Sequence, residues 1–133
     1  MTPLISFVVT YYNEPYALLR ACIESILALN LSPDEAEILV VQDGVEHKIQ
    51  DKVCSLSPLV GYVCQEHAGL SVARNTGISC SHGRYIQFVD ADDCLEPLAY
   101  AAVLEHLRSQ EDDAVMFRMT TKQGEKSRRL SAR

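Results

Sequence analysis

The chain has 133 residues, of which 47% are hydrophobic and 23% charged, with a net charge of -6; this is enough for one domain with a buried core, too little for a two-domain enzyme, and not the composition of a disordered chain. The charge is uneven, since residues 1–121 carry 7 Lys or Arg against 17 Asp or Glu whereas residues 122–133 carry 5 against 1. An acidic body excludes a nucleic-acid surface, which needs clustered basic side chains to displace counterions from phosphates.

Residues 4–9 (LISFVV) are a continuous apolar run with β-branched and aromatic members, the pattern of a central strand covered on both faces. The run ends at Thr10-Tyr11-Tyr12-Asn13. Pro15 then suits the first turn of a helix capped by Asn13 or Glu14, and Leu19, Cys22, Ile23 and Ile26 recur at helical spacing as one apolar stripe. Pro33 and Asp34 mark the turn out. Residues 38–41 (ILVV) read as a second buried strand that stops at Gln42-Asp43-Gly44. Val45, Ile49, Val53 and Leu56 would share one face of a second helix, broken at Ser57-Pro58.

Residues 59–64 (LVGYVC) are a third strand, and residues 65–69 (QEHAG) the loop after it. Residues 70–80 read as a third helix whose small members, Ala73 and Gly77, meet the sheet. A glycine inside a helix costs ~1 kcal/mol relative to alanine, so Gly77 marks a close approach of helix and strand. Gly83 is expected as the C-cap. A fourth strand follows, then a helix over about residues 97–109 and a last strand over 114–120 (AVMFRMT). Residues 122–133 (KQGEKSRRLSAR) are polar and basic without periodicity and read as a disordered tail beyond a domain of residues 1–121.

The five cysteines, Cys22, Cys54, Cys64, Cys80 and Cys94, include no C-x-x-C pair and lie mostly in apolar stretches, which predicts free thiols in a reducing compartment. No basic segment precedes an apolar run at the start, and no stretch is long enough to span a bilayer. The expected location is the cytoplasm, with room for peripheral attachment at the inner face of the membrane. His47, His67, His82 and His106 have no paired spacing; only His67 falls beside the expected crevice.

Strands alternating with helices predict an α/β fold with a mostly parallel sheet, right-handed crossovers and helices on both faces. Such sheets bind ligands beyond the carboxyl ends of their strands. Thr10 to Asn13, Asp43, the loop at Gly69, and Asp90, Asp92 and Asp93 all follow strand ends, so they should line one crevice. The stretch at 85–93, YIQFVDADD, sets three carboxylates in one turn, and ionised carboxylates packed so closely repel one another unless a cation sits among them. An oxygen-only ligand set favours Mg or Mn. A dinucleotide-binding fold would show G-x-G-x-x-G after its first strand, where this chain has TYYNEP without a glycine.

Four stretches in order, VVTYYNE, LVVQDGV, AGLSVARNTGI and YIQFVDADD, resemble the pattern of the inverting family 2 glycosyltransferases of the GT-A fold, over residues 5–97 or nearly all of the ordered chain. The resemblance implies a Rossmann-like GT-A fold, truncated on its C-terminal side, that transfers a sugar from a nucleotide diphosphate sugar to an acceptor hydroxyl with inversion. The setting would be polysaccharide or glycoconjugate synthesis, the acceptor a saccharide or a lipid-linked one, and the cofactor Mg or Mn. It implies a donor site of Thr10, Tyr12, Asn13, Glu14, Asp43, Gly69, Ser71, Arg74, Asn75, Asp90, Ala91 and Asp92. Tyr12 would stack on the base or serve as an aromatic wedge, and Asp43 would accept hydrogen bonds from the base. Ser71 would cap the third helix, and Arg74 would point to the diphosphate or pair with the acidic turn. The implied metal ligands are Asp92, Asp90 and Asp93.

The sequence departs from that pattern in two places. Gln42 stands where the family usually has a second acid, which leaves the base open, and Thr10 stands where proline is usual. The family's general base lies in the second half of its catalytic domain, so it is expected beyond this chain's end, and a non-catalytic nucleotide-sugar-binding fragment is the alternative.

Overall fold

The computed structural model describes residues 2–115. The chain alternates strand and helix: β1 (Ile5–Tyr11), α1 (Tyr16–Leu27), β2 (Ala36–Asp43), α2 (Gln50–Cys54), β3 (Val60–Gln65), α3 (Leu70–Cys80), β4 (Tyr85–Asp90) and α4 (Pro97–Ser109). All four strands are parallel, in the order β3-β2-β1-β4. β1 is central and buried on both sides, which is why its sequence is apolar without alternation.

The pleat sends alternate β1 residues to opposite faces. Phe7 and Val9 meet α1, α2 and α4 through Leu19, Ile23, Ile26, Val53, Tyr100 and Leu104, with Ile38, Val40 and Val89 from the neighbouring strands. Val8 points the other way, onto Ala73 of α3, together with Val41 and, at the margin, Phe88. Fully buried side chains such as Phe7, Leu19 and Ile23 each contribute about 1.5–3 kcal/mol by leaving water. The order of strand addition reverses between β1 and β4: α1 leads outward to β2 on one face, and α3 returns from β3 to β4 across the other. That reversal opens a crevice at the carboxyl ends of β1 and β4, where Thr10 pairs with Asp90.

Gly77 has the expected close approach, since a Cβ there would stand 2.3 Å from Val8 Cγ1. Several boundaries differ from expectation. β2 continues past Val41 through Gln42 to its end at Asp43, both buried polar residues. α2 is only five residues long, and Val45 is exposed. The cause is Gln42, whose Nε2 donates to the carbonyls of Glu46 and His47 and whose Oε1 accepts from Ile49 N–H, fixing residues 44–49 as a loop in which His47 takes a φ of 53°.

Neither Asn13 nor Glu14 caps α1; Pro15 is its N-cap, and the Pro15 carbonyl accepts from Leu18 and Leu19 N–H. Gly83 is not the cap of α3, which ends at an extended Ser81. Instead Gly83 N–H donates to Ser6 Oγ, and a Cβ at Gly83 would lie 2.5 Å from Ser6 N. Most of the expected last strand, and all of residues 122–133, lie outside the described residues. No described helix is long and apolar enough to cross a membrane.

Candidate nucleotide-sugar site

Strand parity selects the side chains of the site. Thr10, Asp43 and Asp90 lie on the α3 face of the sheet, in step with Val8, Val41 and Phe88. A pocket of about 310 Å³ opens there, lined by Thr10, Tyr11, Tyr12, Glu14, Asp43, His67, Gly69, Leu70, Ala73, Asp90 and Asp92. Asn13, Ser71 and Asn75 are exposed and do not line it, and Ala91 is fully buried, with its N–H bonded to the Thr10 carbonyl. A second hollow of the same volume, at the start of β4 and along α4, holds no comparable cluster of chemical groups.

Asp43 is the most tightly held group. It is 5% exposed, and its Oδ1 accepts from Ala68 N–H (2.8 Å) and Gln65 Nε2 (3.0 Å) while Oδ2 accepts from Gly69 N–H (3.0 Å). Burial alone would raise its pKa, but these hydrogen bonds outweigh burial and hold the carboxyl below its ordinary value. Gln65 is pinned at its other end by Thr76 Oγ1. Asp43 thus fixes the β3–α3 loop, in which Gly69 takes a φ of 99° that only glycine adopts without strain. Ser71 makes no capping bond to α3.

The adjacent acid-to-amide departure has a structural reason. Gln42 faces away from the crevice and spends its side chain on the 44–49 loop and on Tyr62, whose hydroxyl donates to Oε1 at 2.5 Å. Glu14 also acts within the chain, accepting from Tyr12 N–H at 2.8 Å and closing the turn after β1.

Opposite Asp43, Asp90 Oδ1 accepts from Thr10 Oγ1 at 3.2 Å and from Arg74 Nη2 at 3.4 Å. Arg74 lies over the Phe88 ring. Its Nε is buried without a hydrogen-bond partner, the one such side-chain atom found among the described residues. Asp90, Asp92 and Asp93 can bring one oxygen each within 4.8 Å of the others. Burial, then Asp92 and Asp90, raise the pKa of Asp93. An oxygen-only cluster that resists holding its own charge fits a hard divalent cation. α1 braces the turn: Ser25 Oγ accepts from Leu95 N–H, and the Cys22 thiol lies 3.7 Å from the Asp90 carbonyl. Burial pushes that thiol up to about 12, so it is an inert packing group.

Tyr12 and His67 meet over the crevice, their rings stacked 4.2 Å apart at 16°. The sequence singles out His67 by its position but gives no sign of this stack. Gln65 is a site residue that the sequence does not single out. Its partnership with Asp43 follows from the register that sets the two side by side at the ends of β3 and β2.

At the other end of the sheet, Ser6, Glu37 and His82 form a network in which Ser6 Oγ donates to Glu37 rather than to His82. Ser6 is fully buried and out of reach of any substrate, and the network ties the α3–β4 connection to β1 and β2.

A parallel α/β sheet whose carboxyl edge gathers an acidic cluster and the amino end of a helix belongs to the class of α/β proteins that bind ligands beyond the ends of their strands. The chain belongs to glycosyl transferase family 2, whose model matches residues 6–133. It is 35% identical over 119 residues to the uncharacterized glycosyltransferase EpsJ of Bacillus subtilis, a match covering 86% of this chain and 33% of EpsJ. It is 32% identical over 109 residues to the chondroitin synthase of Escherichia coli, covering 80% of this chain and 16% of that enzyme. The chain therefore spans a third or less of the length of these relatives. Among solved structures, S. aureus TarS 1–349 superposes with a TM-score of 0.67 at 18% identity over 78% of this chain and 32% of TarS, and its complex with UDP-GlcNAc with a TM-score of 0.66. The fold is that of the GT-A glycosyltransferases.

Proposed function

We propose that this chain is the donor-binding part of a glycosyltransferase that moves a sugar from a nucleoside diphosphate sugar to an acceptor hydroxyl, with inversion and with Mg or Mn. The acceptor is a saccharide or a lipid-linked one, met in the cytoplasm or at the inner face of the membrane during polysaccharide or glycoconjugate synthesis. The observation that carries this reading is the convergence of Thr10, Asp43, Asp90 and Asp92 on one crevice, with Arg74 tied to its wall through Asp90 although neither Arg74 nor Asp93 lines it. In it the Tyr12 ring and the Asp43 carboxylate take the base, an aromatic platform beside a buried acceptor. The half-exposed Arg74 guanidinium and the amino end of α3 take diphosphate oxygens. Asp90, Asp92 and Asp93 would hold the cation, which when bound stabilises the negative charge of the departing nucleoside diphosphate.

A second reading, a nucleotide-sugar-binding unit without turnover by itself, is favoured by one observation. Of the four carboxylates lining the crevice, three have partners within the chain, since Glu14 closes its turn, Asp43 anchors a loop and Asp90 pairs with Arg74, and the fourth, Asp92, would be taken by the cation. None is left among the described residues to take the acceptor's proton, a role that supplies about 100- to 10,000-fold in rate. Calorimetry with UDP, GDP, CDP and ADP, with Mn or with chelator, tests the donor site. One of the four should bind with Mn, bind at least about tenfold more weakly with chelator, and lose affinity in Asp92→Asn. Equal affinity with chelator would refute the role of the metal.

A further inference from the structure

Resting on the donor-site reading above, we propose that the His67 imidazole is a built-in occupant of the nucleobase position, seated on Tyr12 and Asp43 when no nucleotide is bound and displaced when one enters.

Three contacts carry this. The imidazole is stacked on the Tyr12 ring at 4.2 Å and 16°. Its Nδ1 lies 2.9 Å from Asp43 Oδ2 and 3.3 Å from the Asp43 carbonyl oxygen. Both oxygens only accept, so Nδ1 carries the proton and donates it. A flat heteroaromatic ring that stacks on an exposed tyrosine, gives its N–H to the Asp43 carbonyl and lies 2.9 Å from the buried Asp43 carboxylate covers the same two features that the crevice offers a base. The two cannot hold that ring face and that oxygen together.

The surroundings decide which partner yields. The Asp43 carboxylate has four polar neighbours, of which the N–H groups of Ala68 and Gly69 belong to the backbone at the start of α3. Gln65 is tethered by Thr76. His67 is the remaining one, with a side chain 54% exposed and free to turn about its own χ angles into solvent. Its departure frees one Asp43 oxygen and one face of Tyr12 without moving the backbone. Each nucleotide that binds must first displace this ring, so His67 lowers apparent affinity to the fraction of its intrinsic value set by the molecules in which the ring is not seated.

Two measurements on the 133-residue chain test this, with Mn and the nucleoside diphosphate that binds best among UDP, GDP, CDP and ADP. In the unmutated protein, the His67 ring proton signals should sit upfield in the current of the Tyr12 ring and move downfield on saturation. By titration, His67→Ala should bind the nucleotide about three- to tenfold more tightly, the factor expected from removing an occupant held by one stack and one hydrogen bond. Unshifted His67 signals at saturation, or unchanged or weaker binding by His67→Ala, would overturn the proposal. Tyr12→Ala separates this from failure of the underlying reading. If Tyr12→Ala weakens binding and His67→Ala does not tighten it, the occupant is refuted and the base site stands. If neither substitution matters, or nothing binds, the base site itself is refuted and the occupant with it.

Discussion

At the scale of single residues, the site is built by side chains that finish the backbone's hydrogen bonding before they meet any ligand. Asp43 satisfies two N–H groups ahead of α3, and Gln42 satisfies the 44–49 loop on the opposite face of the same strand. Asp43→Asn sets an amide donor against at least one of these backbone donors, and should cost about 2–3 kcal/mol in urea unfolding at pH 7. The pH dependence has a definite sign. Hydrogen bonds hold the Asp43 pKa below its unfolded value, so its contribution is present above about pH 4 and is lost as pH falls through the lower folded value. Asp93 is raised and acts oppositely, its strain relieved as pH falls through the folded value. The gap between wild type and Asp43→Asn should therefore narrow below about pH 4; a gap constant down to pH 2.5, well below about 3.9, would contradict the assignment.

At the scale of elements, what the sequence displays is periodicity, and what it hides is polar satisfaction. The helical stripe Leu19, Cys22, Ile23 and Ile26 is buried as its spacing predicts, because only apolar packing is at stake there. β2 outruns its apolar run because Gln42 and Asp43 carry their own partners into the interior, which composition cannot reveal. For α2, Val45, Ile49, Val53 and Leu56 fit a helix, yet Gln42 captures the carbonyls that its first turn would need. Gly83 follows a helix, as a cap would, but its absent Cβ serves the approach to Ser6. Gly77→Ala gains ~1 kcal/mol of helix propensity but drives a methyl into the fully buried, β-branched Val8. A net loss of about 1–3 kcal/mol is expected, measured as a lower urea midpoint with unchanged slope. A stabilised variant would show that α3 can lift from the sheet at no cost.

At the scale of the molecule, alternation of strand and helix made the α/β class legible, and strand ends pointed to Thr10, Asp43, Gly69 and Asp92, which the fold brings into one pocket. The order β3-β2-β1-β4, which makes Thr10 and Asp90 neighbours across the reversal point, is a tertiary fact with no local signature. So is the stack of Tyr12 on His67, residues far apart in the chain. With three of its crevice carboxylates partnered within the chain and the fourth taken by the cation, the chain by itself should show no robust sugar transfer in a product assay with labelled nucleotide sugars and mixed acceptors. Robust transfer would reveal a base among them.

The central claim is that a cation and a nucleoside diphosphate meet at the carboxyl edge of β1 and β4. Paramagnetic broadening of backbone amide signals, with substoichiometric Mn and a saturating nucleoside diphosphate, tests it most directly. The account predicts loss of signal centred on Asp90 to Cys94, reaching Thr10 to Glu14 and the start of α3, and removed by Asp92→Asn. Broadening centred instead on the exposed acids Glu111 to Asp113, or unchanged by Asp92→Asn, would contradict it.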